Sequence, residues 1–336
     1  MHLSHNKKSV EKIVFHKQVK LKGEENDAAD NYNPLMCINE LDCWPANPLY
    51  EQLDPEQAKI LKANKINLES DWSKWHYKEE KILVKGVDFD EVIIGASLAS
   101  LPHFASQLID ESRPWQLMLN KVGTVQTQAF QFWLNKDAKE LDIEDDKLLS
   151  CYVEPLDTFS AMNQVLKREK WPNDEAKFVA YMCGAYTDAA NILPYKVHTF
   201  PQQENELVKQ NMLYYIKNDL RHIIPAAFDS DGNFDWNLLV DLENREGEER
   251  INGQFFKANI DSSERYVLSL KGSSKFRLKT DESGFENVYL TGDWIQNNMN
   301  AGFVEGAAVS GLLTARAVSG NPNIPIFMPD WDLNKL

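Results

Sequence analysis

Cysteine is scarce in this chain and nowhere arranged for metal or redox work. The four cysteines, Cys37, Cys43, Cys151 and Cys183, make no Cys-x-x-Cys pair, and the seven histidines show no ligand spacing with them. That argues against a zinc or thioredoxin-like site. A disulfide between Cys37 and Cys43 stays open, but four scattered, mostly apolar-flanked thiols fit a reducing cytoplasm better. Basic clusters are missing too. The adjacent basic residues Lys7-Lys8 and Lys167-Arg168 are pairs and not clusters, and the formal net charge is −15. A protein that grips a phosphate backbone needs such clusters to displace counterions, which argues against a nucleic-acid partner. An acidic surface likewise disfavours anionic membranes. Long apolar runs are absent. Residues 1–15 lack the apolar core of a signal peptide. The weakly polar run 301–318 carries Glu305 and Arg316 among small residues, so it predicts a packed helix and no membrane span. The expectation is a cytoplasmic protein.

What is present is an ordinary globular composition with a large aromatic stock. The 336 residues suffice for two domains or one large interleaved unit. Sixteen Phe, eleven Tyr and nine Trp can fill a core and line a cavity as well.

Along the chain, residues 13–21 alternate Ile13, Phe15, Val19 and Leu21, which predicts a hairpin or the end of a small sheet. Residues 24–33 read as an acidic loop, and Pro34, Pro45 and Pro48 break the next stretch. Asp54-Pro55-Glu56-Gln57 predicts a helix start, with Asp54 as cap and Pro55 at the first helical position. Trp72, Trp75 and Tyr77 form an aromatic packing cluster. Residues 88–98 run from Asp90 through Val92, Ile93 and Ile94 to small residues, the pattern of a parallel strand buried on both faces. A helix follows Pro102. Residues 124–134 predict a long strand with Gln126, Gln128 and Phe130 on one face and Thr127, Ala129 and Gln131 on the other. Residues 151–153, 178–183 and 266–270 read as further strands, and 201–224 as a long amphipathic helix. Residues 229–233 are a turn, and 321–336 a proline-containing surface tail.

The most informative stretch is Val288-Tyr289-Leu290-Thr291-Gly292-Asp293-Trp294, followed by residues 297–311. It reads as a buried strand, a tight turn with a carboxylate at the strand end, a polar loop and a helix. Asn300 is the expected N-cap. Gly302, Gly306 and Ser310 recur at helical spacing, beside a second small stripe of Ala307, Gly311 and Ala315. Each interior glycine costs a helix about 1 kcal/mol relative to alanine, so something must come close to it. A carboxylate just past a strand end is a natural acceptor for sugar or sugar-alcohol hydroxyls, and a helix start suits an anion.

In these residues the chain resembles the FAD-dependent oxidoreductases of the amine-oxidase and phytoene-desaturase type, with which the protoporphyrinogen oxidases group. The resemblance rests on strand, Gly292-Asp293, loop and Gly302-x-Val304-Glu305-Gly306-Ala307-x-x-Ser310-Gly311. It implies an α/β fold in which a partial Rossmann-like FAD domain is interleaved with an α+β substrate domain of sheet and helices. It implies FAD as cofactor, with Gly292, Asp293, Trp294, Met299, Asn300, Ala301, Gly302 and Val304 beside it and Asp293 bonded to the ribityl chain. The FAD domain would comprise residues 1–22, 87–103 and 266–320, the substrate domain 104–265, with an insertion at 23–86 and a tail from 321.

The family's Gly-x-Gly-x-x-Gly turn, which cradles the pyrophosphate, occurs nowhere in this sequence. The chain is therefore expected to be the flavin- and substrate-proximal half of a larger flavoprotein. A separate polypeptide, or a lost segment, would carry the dinucleotide-binding motif. The reaction implied is hydride transfer from a C–N or C–C bond of a small apolar or amine substrate. The alternative is a non-catalytic binding protein of the same descent. No catalytic acid or base stands out. Glu154 and Asp157 could reach a cavity, although surface loop carboxylates are commoner. Gln126, Gln128 and Gln131 could orient a substrate, although a half-solvated strand face explains them as well. His103 and His222 read as structural.

Overall fold

The computed structural model describes residues 1–23, 32–76, 78–173, 175–188 and 192–326. Most of the expected 24–33 loop, Tyr77 and the end of the tail lie outside the described residues. The chain mixes helix and sheet and divides into two units. One comprises Met1–Gln18, His76–Val125 and the chain from Ile260 on; the other comprises Val19–Trp75 and Gln126–Asn259. Residues 76–86 and 104–125 thus lie in the first unit and residues 23–75 in the second.

The first unit is built on two short parallel strands, Val92–Ile94 and Val288–Leu290, in the register Val92 to Val288 and Ile94 to Leu290. Val92, Ile94, Val288 and Leu290 are buried with Leu101, Leu108, Trp115, Met118 and Trp294. The parallel pairing follows from the apolar run, but burial on both faces does not: Ile93 is 54% exposed. Asn287, itself buried, stitches this pair to the chain start, accepting from the Val10 N–H at 2.9 Å and donating to the Val10 carbonyl at 3.0 Å.

Val10–His16 is a strand of a small three-stranded sheet, as one of the two expected readings has it, but no hairpin runs on through Leu21. Its partners are His2–Leu3 and the distant Glu80–Val84, both antiparallel. Val19 and Leu21 pack instead on Leu53 and Leu61 in the second unit. The single helix expected after Pro102 is three short ones, Leu101–Phe104, Ser106–Glu111 and Arg113–Lys121. Pro114 lacks the N–H that a continuous helix would need, so it sits in the first turn of the third.

The second unit holds an antiparallel sheet in the order Phe255–Asn259, Thr124–Leu134, Phe178–Tyr186, Thr158–Ala161, Leu148–Leu149. From Gln126 on, the long strand has the two predicted faces. Phe130, Phe132 and Leu134 join Met212, Tyr215 and Ile216 of the helix Phe200–Asn218 in the core, while Thr127 and Gln131 remain half-exposed. Residues 151–153 are not a strand, because Cys151 takes a left-handed φ of 58° that ends extension there. The helix Pro55–Ala63 starts as predicted, with Asp54 Oδ1 accepting from the Gln57 N–H at 3.0 Å.

Cys37 and Cys43 are free. They stand on the hairpin Met36–Ile38 and Leu41–Cys43, where Cys43 faces Met36 and Cys37 faces Asp42. Adjacent residues of a strand point to opposite faces, so the two thiols diverge and the disulfide left open by spacing is not made. Among the described residues, no helix is long and apolar enough to cross a membrane.

Candidate functional site

The strand Val288–Leu290 delivers its C-terminal end into a turn that only glycine can make. Gly292 has a φ of 131°, and a Cβ there would stand 2.5 Å from Nε1 of Trp294. Both facts demand a bare backbone. Trp294 is 1% exposed and donates its indole N–H to the Ala96 carbonyl at 3.0 Å, so it plugs the end of the neighbouring strand. Its side chain shapes the turn and is spent on the core.

A second set of ties joins the turn to the terminal helix Val304–Ser319. The buried Ser310 hydroxyl accepts the Gly292 N–H at 2.7 Å, lies 3.0 Å from the Thr291 hydroxyl and donates to the Ala307 carbonyl at 2.6 Å. One turn on, the Thr314 hydroxyl lies 2.7 Å from that of Thr280 and 3.0 Å from the Leu290 carbonyl. The small-residue spacing pointed to close approach. It carried no sign that hydroxyls would button the helix to the strand.

Between turn and helix, Asn297 organises the loop. It is buried, and its Oδ1 accepts the N–H groups of Met299 at 2.9 Å and Asn300 at 2.8 Å. Asn300 is left-handed, with a φ of 48°. Its Oδ1 accepts the Asn297 N–H at 3.1 Å and its carbonyl accepts from the Ser269 hydroxyl at 2.6 Å. Asn300 therefore closes the loop and is not the helix cap predicted for it. The helix begins at Val304, after an extended Phe303, with no side chain capping it. Gly302 precedes the helix because the chain there runs under Tyr266: a Cβ would meet the Tyr266 ring at 2.8 Å and the Val267 carbonyl at 2.9 Å. The first-turn N–H groups form an uncapped positive end. Met299, Ala301 and Phe303 are half-buried beside it and Val304 is 81% exposed.

Asp293 sits where these elements meet. It is half-buried, and its carboxylate accepts its own backbone N–H; among the described residues no other donor reaches it. Burial raises its pKa above the ordinary value, and the nearby Arg277 guanidinium works against that rise. Arg277 is 1% exposed and donates to the Asp293 carbonyl at 2.6 Å and the Leu268 carbonyl at 3.2 Å. Burial lowers the pKa of Arg277 and Asp293 opposes the change. No pattern in the sequence singles out this arginine.

The remaining candidates lie in the second unit, except His103, which lies in the first. Glu154 is exposed, and Asp157 is half-buried and accepts from the Thr158 hydroxyl at 3.1 Å. Gln128 is a structural tie, donating to the Pro155 and Ala185 carbonyls and accepting from Asn211. Gln126 is wholly buried with neither amide atom bonded. Gln131 is half-exposed opposite Tyr181, and His103 and His222 are exposed. A half-solvated face therefore describes Gln131 but not Gln126 or Gln128. A cavity of about 400 Å³ lies beside Phe228, Phe234 and Trp236. Its Asp229 carboxylate is engaged by the N–H groups of Asp231 and Asn233.

An acceptor with unspent capacity at the end of a parallel strand, beside an uncapped helix start, could receive a hydroxyl and negative charge from a ligand. The family model of the flavin-containing amine oxidoreductases matches residues 64–319, and the chain belongs to that family. Flavin is the family's cofactor. The chain is also similar to an oxidoreductase from Methanosarcina mazei whose crystal structure is known. The identity is 15% and the TM-score 0.38, over 71% of this chain and 44% of that one. It thus spans less than half the length of that oxidoreductase. No curated protein matches the chain.

Proposed function

We propose that this chain is the flavin- and substrate-proximal part of an FAD-dependent oxidoreductase acting on a small apolar or amine substrate in a reducing cytoplasm. The observation that carries the reading is Asp293: a half-buried carboxylate that no other described residue satisfies. Its free lone pairs suit the hydroxyls of the ribityl chain. Residues Met299, Asn300, Ala301, Gly302 and Val304 would then flank the ring, with the uncapped helix start favouring negative charge there. Gly292 and Trp294 would hold the turn. FAD, when bound, supplies the chemistry, taking a hydride at N5 from a C–N or C–C bond. The chain's own residues fix the acceptor, bring backbone close and present the helix dipole.

The reading includes a Rossmann-like FAD domain whose pyrophosphate-binding strand, glycine-rich turn and helix come from outside this sequence. Two observations support this. The strand Val92–Ile94 pairs on one edge only among the described residues, and its Ile93 is 54% exposed. Gly311 is exposed on the terminal helix, and nothing stands within 4 Å of where its Cβ would be. A mid-helix glycine costs about 1 kcal/mol, and no packing among the described residues offsets it.

The test is to express the chain together with a dinucleotide-binding half, encoded upstream of it or taken from the same family, and to look for co-purifying flavin. A yellow complex that loses its flavin on Asp293→Ala supports the reading. A colourless complex favours the non-catalytic binding protein.

A further inference from the structure

Around Asp293 nearly every polar group is tied. Ser310 holds the Gly292 N–H, Ala96 holds the Trp294 indole, and Arg277 holds the Asp293 carbonyl. The Asp293 carboxylate, bonded among the described residues to its own N–H alone, keeps spare acceptor capacity.

Arg277 is the costly member of this set. A guanidinium at 1% exposure has lost its water, and here it recovers two hydrogen bonds, both to neutral carbonyls. Among the described residues its Nε has no partner. For filling space alone, an apolar side chain of similar volume would be no worse. What only arginine supplies is a rigid plane of donors carrying a full charge. That plane spans two carbonyls, one just past the strand Tyr266–Val267 and one just past the strand Val288–Leu290. The Arg277 charge also bears on the Asp293 carboxylate, opposing the rise that burial causes.

We infer that Arg277 is the positioning residue of this site: its guanidinium ties the Asp293 carbonyl to the Leu268 carbonyl and so sets the aim and charge of the Asp293 carboxylate. The use of that carboxylate by flavin rests on the function proposed above; the tie itself does not.

The test uses two variants, Arg277→Met and Arg277→Lys, compared first in the chain without flavin. In Arg277→Met the ¹³C carboxyl signal of Asp293 titrates about one pH unit or more higher than in the wild type, because the opposing charge is gone. In Arg277→Lys the charge remains and the midpoint stays within roughly half a unit of the wild type. The lysine cannot span both carbonyls, so amide exchange across residues 291–296 quickens about tenfold in both variants. An unchanged Asp293 titration in folded Arg277→Met overturns the inference. If the methionine variant does not fold, the lysine variant decides: unchanged exchange across the turn overturns the inference, and quickened exchange with a preserved titration upholds it.

In the chain completed by its dinucleotide-binding half, FAD retention falls about tenfold in Arg277→Met and is partly restored in Arg277→Lys. If Asp293→Asn leaves flavin retention intact while Arg277→Met still moves the titration and the exchange, the flavin reading fails and the positioning role stands.

Discussion

A methyl group at position 292 would collide with the Trp294 indole, whereas one at position 311 would meet open space. The two glycines therefore predict opposite outcomes. Gly292→Ala forces a left-handed residue against a buried ring and destabilises the chain by about 2 kcal/mol or more, read by urea unfolding. Gly311→Ala removes only the helix penalty and stabilises the isolated chain by about 1 kcal/mol in the same assay. Asp293 differs again. Burial raises its carboxyl above the ordinary 3.8 in the folded chain, so the folded state holds this proton more tightly than the unfolded one. Its contribution is present below 3.8 and is lost as pH rises through the folded value; at neutral pH the ionised group opposes folding. Asp293→Asn should therefore raise the melting temperature of the chain at pH 7 by roughly 1–3 °C. The gain shrinks as pH falls toward the folded value. A lowered melting temperature at pH 7 would contradict that sign.

At the scale of elements, local pattern located what local chemistry determines. The strand through residues 124–134, the helix start at Asp54 and the turn at Gly292 could be read because alternation, a proline behind a cap and a Gly-Asp pair at a strand end each have a local cause. What the pattern missed depends on distant partners. The strand Val10–His16 pairs with Glu80–Val84, some sixty residues on, and no alternation names that partner. Asparagine caps helices, which predicts a helix start at Asn300; in the structure Asn300 is spent on the Asn297 loop. Of the candidate site, the carboxylate and the glycines carry a sequence signal. Ser310 stood in the stripe of small residues, but its hydroxyl's bond to Gly292 was not legible, and Arg277 carried no signal. Ser310→Ala would leave the Gly292 N–H without its acceptor. It should cost about 1–3 kcal/mol and loosen the strand-to-helix joint, seen as faster amide exchange at Gly292.

At the scale of the whole molecule, the first unit leaves small and apolar residues exposed on its parallel strands and on its terminal helix. Its two-stranded parallel sheet exposes Ile93, and Val304 and the stripe of Ala307, Gly311 and Ala315 lie exposed on the terminal helix. No Gly-x-Gly-x-x-Gly turn occurs in the chain. If a parallel strand adds to the free edge of Val92–Ile94, Ile93→Lys should weaken assembly with the dinucleotide-binding half while leaving the isolated chain within about 0.5 kcal/mol of wild-type stability. A pull-down and an unfolding curve separate the two effects. The most direct measurement is the visible absorbance of the chain purified together with that half, with Asp293 intact and replaced by alanine. The proposed function predicts near-stoichiometric flavin in the first and a loss of about tenfold or more in retention in the second. Equal flavin in both would remove Asp293 from the site, and no flavin in either would contradict the proposed function.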